Sequence, residues 1–80
     1  MMPWRAIHVG FESDGVQILG LEVWKHCWRQ VGEPPPNLPH PSYPNQAHPF
    51  YIYEVAEGDR RVRFAAGELS NGVWGFYVPD

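Results

Sequence analysis

Five stretches rich in apolar, β-branched and aromatic residues run along this chain, and turn-forming residues separate them. Between Arg5 and Glu12, Ile7, Val9 and Phe11 fall on one side of an extended strand, with His8 and Gly10 on the other. Further β-rich runs extend from Val16 to Val23, from Phe50 to Ala56, from Arg60 to Leu69 and from Val73 to Val78. They predict strands over about 4–12, 16–29, 50–56, 60–69 and 73–78. Within the second, Leu21, Trp24, Trp28 and Val31 also recur at helical spacing. The short length, the β-branched and aromatic content and the missing N-cap favour strand there.

The turns set registers. Asp14-Gly15 lies between two β-rich runs and predicts a type I′ hairpin, in which both central residues take positive φ. Unbroken pairing from that turn opposes Ile7 and Glu22, whereas a one-residue bulge at Gly20 opposes Val9 with Leu21 and Ile7 with Val23. Gly58-Asp59, read as a type II′ turn, sets Glu57 opposite Arg60, Glu54 opposite Arg63, Val55 opposite Val62, Tyr53 opposite Phe64 and Tyr51 opposite Ala66. One face of that hairpin then carries opposite charges and the other apolar pairs. A three-residue loop at Ser70-Asn71-Gly72 sets Leu69 opposite Val73, Ala66 opposite Phe76 and Phe64 opposite Val78. The expected core is Ile7, Val9, Phe11, Ile18, Leu21, Val23, Tyr51, Tyr53, Val55, Val62, Phe64, Ala66, Trp74, Phe76 and Val78.

Seven of the nine prolines fall between residues 34 and 49. Proline lacks the N–H and fixes φ, which excludes helix and interior strand. Residues 33–49 therefore read as one long proline-rich loop, with Pro34-Pro35-Pro36 in polyproline II. The fold these signals predict is all-β: a five-strand antiparallel meander, curled or closing into a small, partly open barrel in which the first strand approaches the last.

Composition narrows the function classes. A chain of 80 residues suggests a single domain over 1–80, and 15% aromatic residues give it large side chains to bury. The single cysteine, Cys27, permits no intrachain disulfide and fits a reducing compartment. A net charge of -3 argues against phosphate-backbone binding. The N-terminus lacks the apolar stretch of a signal peptide, and no apolar run is long enough to span a bilayer. A cytoplasmic protein that does not engage membranes is the expectation.

Candidate chemistry is sparse. His26, Cys27, His40 and His48 are the metal-ligating side chains, but they form no C-x-x-C or H-x-x-x-H spacing. No metal or other cofactor is expected, and His26, His40 and His48 stand only as candidates. A Cys27–His26 dyad lacks an orienting third group, and strand neighbours point to opposite faces. Arg60, Arg61 and Arg63 lie near Tyr51, Tyr53 and Phe64, a mixture that can bind single-stranded nucleic acid. Because Glu54 and Glu57 already face them, a cross-paired solvated face is favoured and nucleic-acid binding disfavoured. Two P-x-x-P segments, Pro36 to Pro39 and Pro41 to Pro44, lack an adjacent arginine, so packing on the protein's own aromatics is favoured over docking in a partner's groove.

The largest signal is an aromatic surplus. Trp4, Trp24, Trp28, Phe50, Ile52 and Tyr77 fall mostly on the sheet face opposite the expected core. Either the proline-rich segment covers them or a partner does. The function expected is a small non-enzymatic protein-interaction module (a regulator, inhibitor or assembly subunit). It would bind a protein partner or a second copy of itself through Trp24, Trp28, Phe50, Tyr77 and Tyr43. The alternatives are a small-ligand, metal or enzymatic site where the loop meets the sheet, and a weak nucleic-acid surface at Arg60, Arg61 and Arg63.

Overall fold

The computed structural model describes residues 4–11, 15–32 and 37–79. Its elements are β1 (Trp4–Phe11), β2 (Val16–Ile18), β3 (Leu21–Val23), a 3-10 turn (Lys25–Cys27), β4 (Arg29–Gln30), β5 (Asn37–His40), β6 (Tyr43–Pro49), β7 (Tyr51–Glu57), β8 (Arg60–Ser70) and β9 (Val73–Pro79). All pairing is antiparallel. A five-stranded sheet runs in the order β1-β9-β8-β7-β4, and β2–β3 and β5–β6 are separate two-stranded hairpins. The fold is all-β and antiparallel, and none of its sheets closes into a barrel. Among the described residues no helix is long and apolar enough to cross a membrane.

The meander proper is β7-β8-β9. Gly58 has φ of 60°, as the first central residue of a type II′ turn requires, and the β7–β8 register is the expected one from Glu57–Arg60 to Tyr51–Ala66. At the next turn Ser70 pairs with Val73 across Asn71-Gly72, and an irregularity at Leu69 takes up one residue. Ala66 consequently meets Phe76, as expected, although Leu69 does not meet Val73.

The N-terminal part departs from the predicted order. β1 does not pair with β2; it lies against β9, from Trp4–Pro79 to Phe11–Val73, so the first strand does meet the last, as the barrel alternative expects, although the sheet does not close. The expected turn residue Asp14 lies outside the described residues. Gly20 is a turn residue, not a bulge. Leu19 and Gly20 have φ of 50° and 84°, and the two-residue turn pairs Ile18 with Leu21 and Val16 with Val23. All four apolar side chains thus share one buried face. A bulge does occur, in β1: Ala6 pairs with Tyr77 and His8 with Phe76, so Ile7 is extra. The bulge flips the pleat. Ile7 packs against the main core, whereas Val9 turns outward and is 46% exposed. Tyr51, at the start of β7, is likewise 42% exposed and not a core residue.

The predicted long second strand over 16–29 is broken in two places. After β3 the backbone makes a 3-10 turn, with Cys27 N–H donating to Trp24 O at 2.8 Å and Trp28 N–H to Lys25 O at 3.2 Å. This turn sends Trp24 and Trp28 to different surroundings. Trp28 enters the main core with β2 and β3, whose side chains Val16, Ile18, Leu21 and Val23 pack on Val55, Val62, Phe64, Ala66, Trp74, Phe76 and Val78 of the sheet.

The other face of the sheet is covered by the proline-rich segment itself. Residues 37–49 form the β5–β6 hairpin, not an irregular loop. An isolated two-stranded hairpin has an open outer edge on each strand. Prolines can therefore turn their missing N–H away from the ladder, which an interior strand forbids. Leu38, Phe50, Ile52, Ala65 and Tyr77 form a second buried cluster beneath the hairpin. Tyr77 Oη donates to Pro39 O at 2.5 Å, and His48 Nε2 donates to Glu68 O at 2.8 Å. Burial pushes the Tyr77 phenol above its ordinary range, which keeps the proton on its hydroxyl. Pro34 to Pro36, expected in polyproline II, lie outside the described residues.

Candidate interaction site

The two hairpins use up much of the aromatic surplus. Phe50 is fully buried and Tyr77 nearly so. Trp28 sits at ring-centroid distances of 5.3 Å from Tyr53 and Phe64 and 5.4 Å from Trp74 and Phe76. These three residues, expected at a partner surface, are held within the chain's own core. Trp24 and Tyr43 alone of the five point outward, 40% and 60% exposed.

Trp24 differs from an ordinary exposed aromatic in being held. Its indole Nε1–H donates to Glu22 Oε1 at 3.1 Å. Its ring lies over Gly15, where an added Cβ would come within 2.8 Å of Cζ2. Gly15 therefore makes room for the ring. Beside it opens a depression of about 630 Å³ between the β2–β3 hairpin and the end of β7, lined by Gln17, Leu21, Glu22, Trp24, Cys27, Val55, Glu57 and Arg60 among others. Leu21 and Val55 give it apolar walls, and the rim is polar. Arg60 braces the hairpin by donating from Nη2 to Leu19 O at 3.0 Å.

Among the described residues the strand edge here is open. β4 pairs only Arg29 with Glu54 and Gln30 with Tyr53, and Val31 N–H donates to Ile52 O at 3.1 Å. Beyond Glu54, no described strand pairs with the outer edge of β7, along Val55, Ala56 and Glu57. A second depression, of about 290 Å³, continues around Ala56 to Cys27, Arg29, Glu54 and Arg61.

Glu54 organises this corner. The residue is only 8% exposed. Its carboxylate accepts from Arg29 Nη2 at 2.8 Å, Arg63 Nε at 3.3 Å and Arg61 Nη1 at 3.5 Å. The hydrogen bond from Arg29, then that from Arg63 and the charges of both, hold its carboxyl below the usual range against an opposing effect of desolvation. Arg61 and Arg63 are thereby engaged with a carboxylate, and Arg60 with a backbone carbonyl. A carboxyl whose pKa is depressed on folding adds stability above its unfolded-state pKa, and that stability is lost as pH falls through the folded value. Glu54→Gln is therefore expected to lower the melting temperature at neutral pH, with the gap to wild type closing towards about pH 3. A gap unchanged by acid would show that the carboxylate charge is not what matters.

The remaining candidates are dispersed. His26 and Cys27 are exposed on the 3-10 turn. His40 and His48 lie together on the β5–β6 hairpin, ring centroids 5.5 Å apart, and His40 Nδ1 accepts from Ser42 N–H at 3.0 Å. Among the described residues no group of three or more metal-ligating side chains assembles. The groove is not legible in the sequence, because its two walls, the β2–β3 hairpin and the end of β7, meet only through tertiary contact. The chain matches no family model, no curated protein and no solved structure.

Proposed function

We propose that this chain is a non-enzymatic protein-interaction module that takes an extended segment of a protein partner into the groove between the β2–β3 hairpin and the edge of β7. The observation that carries this reading is Trp24: a large aromatic side chain, 40% exposed, fixed from two sides at the mouth of a depression. Trp is the residue type most enriched among interface anchors, and an anchor already held in place loses little freedom on binding. The open edge of β7 offers backbone donors and acceptors to an added strand. The exposed, unpaired Cys27 thiol at the same rim is consistent with a reducing, cytoplasmic setting.

The test is affinity capture from the native source with wild type and two variants. Trp24→Ala is expected to reduce recovery of a specifically captured partner by at least about tenfold, the loss of a hot-spot side chain. Its stability should stay within about 1 kcal/mol of wild type, because the ring is half in solvent. Tyr43→Ala, on the hairpin covering the opposite sheet face, should leave capture unchanged. Recovery of the same partner at wild-type yield by Trp24→Ala overturns the assignment.

A further inference from the structure

We propose that the chain forms a two-fold symmetric dimer by antiparallel pairing of β1 with β1 of a second copy, joining the two sheets into one. β1 ends the sheet order, and along its outer edge no described strand pairs with it. Sheets blunt such edges with charged side chains (lysine above all), proline, β-bulges or very short strands. Trp4–Phe11 is eight residues long and contains no lysine, aspartate, glutamate or proline; its protection is the single charge of Arg5 and the bulge at Ile7, which turns away a regular strand. The opposite edge is different, since β4 is two residues long and its Arg29 is bound to Glu54.

The bulge selects a second copy as the occupant. Relative to β9, β1 carries one extra residue between Ala6 and His8. A regular strand laid along β1 would lose register there. A second copy carries the same extra residue, and a two-fold axis between Ile7 and His8 sets the two irregularities opposite each other. Ala6 then faces Val9 of the second copy and Arg5 faces Gly10, each pair occurring twice. The faces agree: Ala6 and Val9 pair with Tyr77 and Gly75 of β9, and Arg5 and Gly10 with Val78 and Trp74. Tyr77 belongs to the second cluster, Val78 and Trp74 to the first. The pairing covers exposed Ala6 and the 46% exposed Val9, and it never sets Arg5 against its own copy.

Sedimentation equilibrium of the full chain over a concentration series tests this. Wild type is expected to approach twice the monomer mass of 9.2 kDa. Two double variants then probe the register. Ala6→Lys with Val9→Glu sets opposite charges across both facing pairs, whereas Ala6→Lys with Val9→Lys sets like charges there. The dissociation constant of the like-charged variant is expected to exceed that of the matched one by about tenfold or more. Far-ultraviolet circular dichroism should be unchanged in both, because the positions are exposed. A wild-type chain that stays at monomer mass throughout, or equal dissociation constants for the two variants, overturns the proposal. Trp24→Ala should leave the dimer intact, so this inference and the groove reading fail separately.

Discussion

Trp28→Ala is expected to destabilise the protein by roughly 3–5 kcal/mol, the usual cost of truncating a packed aromatic side chain. Small domains have only about 5–15 kcal/mol in total, so a large part of the population would unfold on mild heating. The expectation follows from where the 3-10 turn delivers the ring, among Tyr53, Phe64, Trp74 and Phe76. Lys25 Nζ lies over it, 5.4 Å from the ring centroid. One feature of the site is unfavourable, since the indole Nε1 is buried without a hydrogen-bond partner among the described residues. A donor left in that state costs about 1–3 kcal/mol. Trp28→Phe removes the orphan donor while keeping an aromatic ring, so it should retain most of the wild-type stability. Urea denaturation of the three proteins separates the cases. An alanine variant within about 1 kcal/mol of wild type would show that the ring is not packed as described.

Phe50→Ala should cost a similar amount, about 3–5 kcal/mol, and its consequences should be local. Phe50 is fully buried, packs edge-on against Tyr77 at a centroid distance of 5.2 Å and lies 5.5 Å from His48. It joins the β5–β6 hairpin to the sheet. Removing it should speed amide exchange across residues 37–49 more than across β8 and β9, and should raise binding of an apolar dye as Ile52 and Tyr77 become accessible. Gly67→Ala should act in the same direction, because an added Cβ would come within 2.8 Å of Pro49 O and 2.9 Å of Phe50 Cδ2. Uniform exchange acceleration throughout the chain would instead mean that hairpin and sheet unfold as one unit.

These two residues mark where sequence reasoning succeeded and where it stopped. The surplus of aromatics beyond one core face was visible in the pattern, and so was the choice between cover by the chain and cover by a partner. Which of the two holds for Phe50 and Tyr77 depends on whether a segment rich in proline can pair with itself. Proline excludes interior strands, yet an isolated hairpin has no interior strand, and β5–β6 uses that exception.

Local chemistry determined the part of this fold in which neighbours in sequence are neighbours in space. The β7–β8 register was readable because a glycine-led two-residue turn, alternating apolar residues and facing charges all agreed. The Ala66–Phe76 pairing was readable because the following turn had to keep the same apolar face inward. The sequence also carried the all-β antiparallel class. The approach of the first strand to the last stood in the sequence only as an alternative, and tertiary structure decided that β1 pairs with β9 and not with β2. Pairing with β9 brings together residues some seventy positions apart, and no turn residue encodes a contact that distant. It alone turned Leu19-Gly20 into the hairpin turn, because only burial against the sheet rewards putting Val16, Ile18, Leu21 and Val23 on one face. The sequence offers Trp24 as one of five aromatic side chains suited to a partner. Its distinct place is tertiary, since the contacts that hold it and leave it partly in solvent join Gly15, Glu22 and a 3-10 turn that no strand pattern encodes.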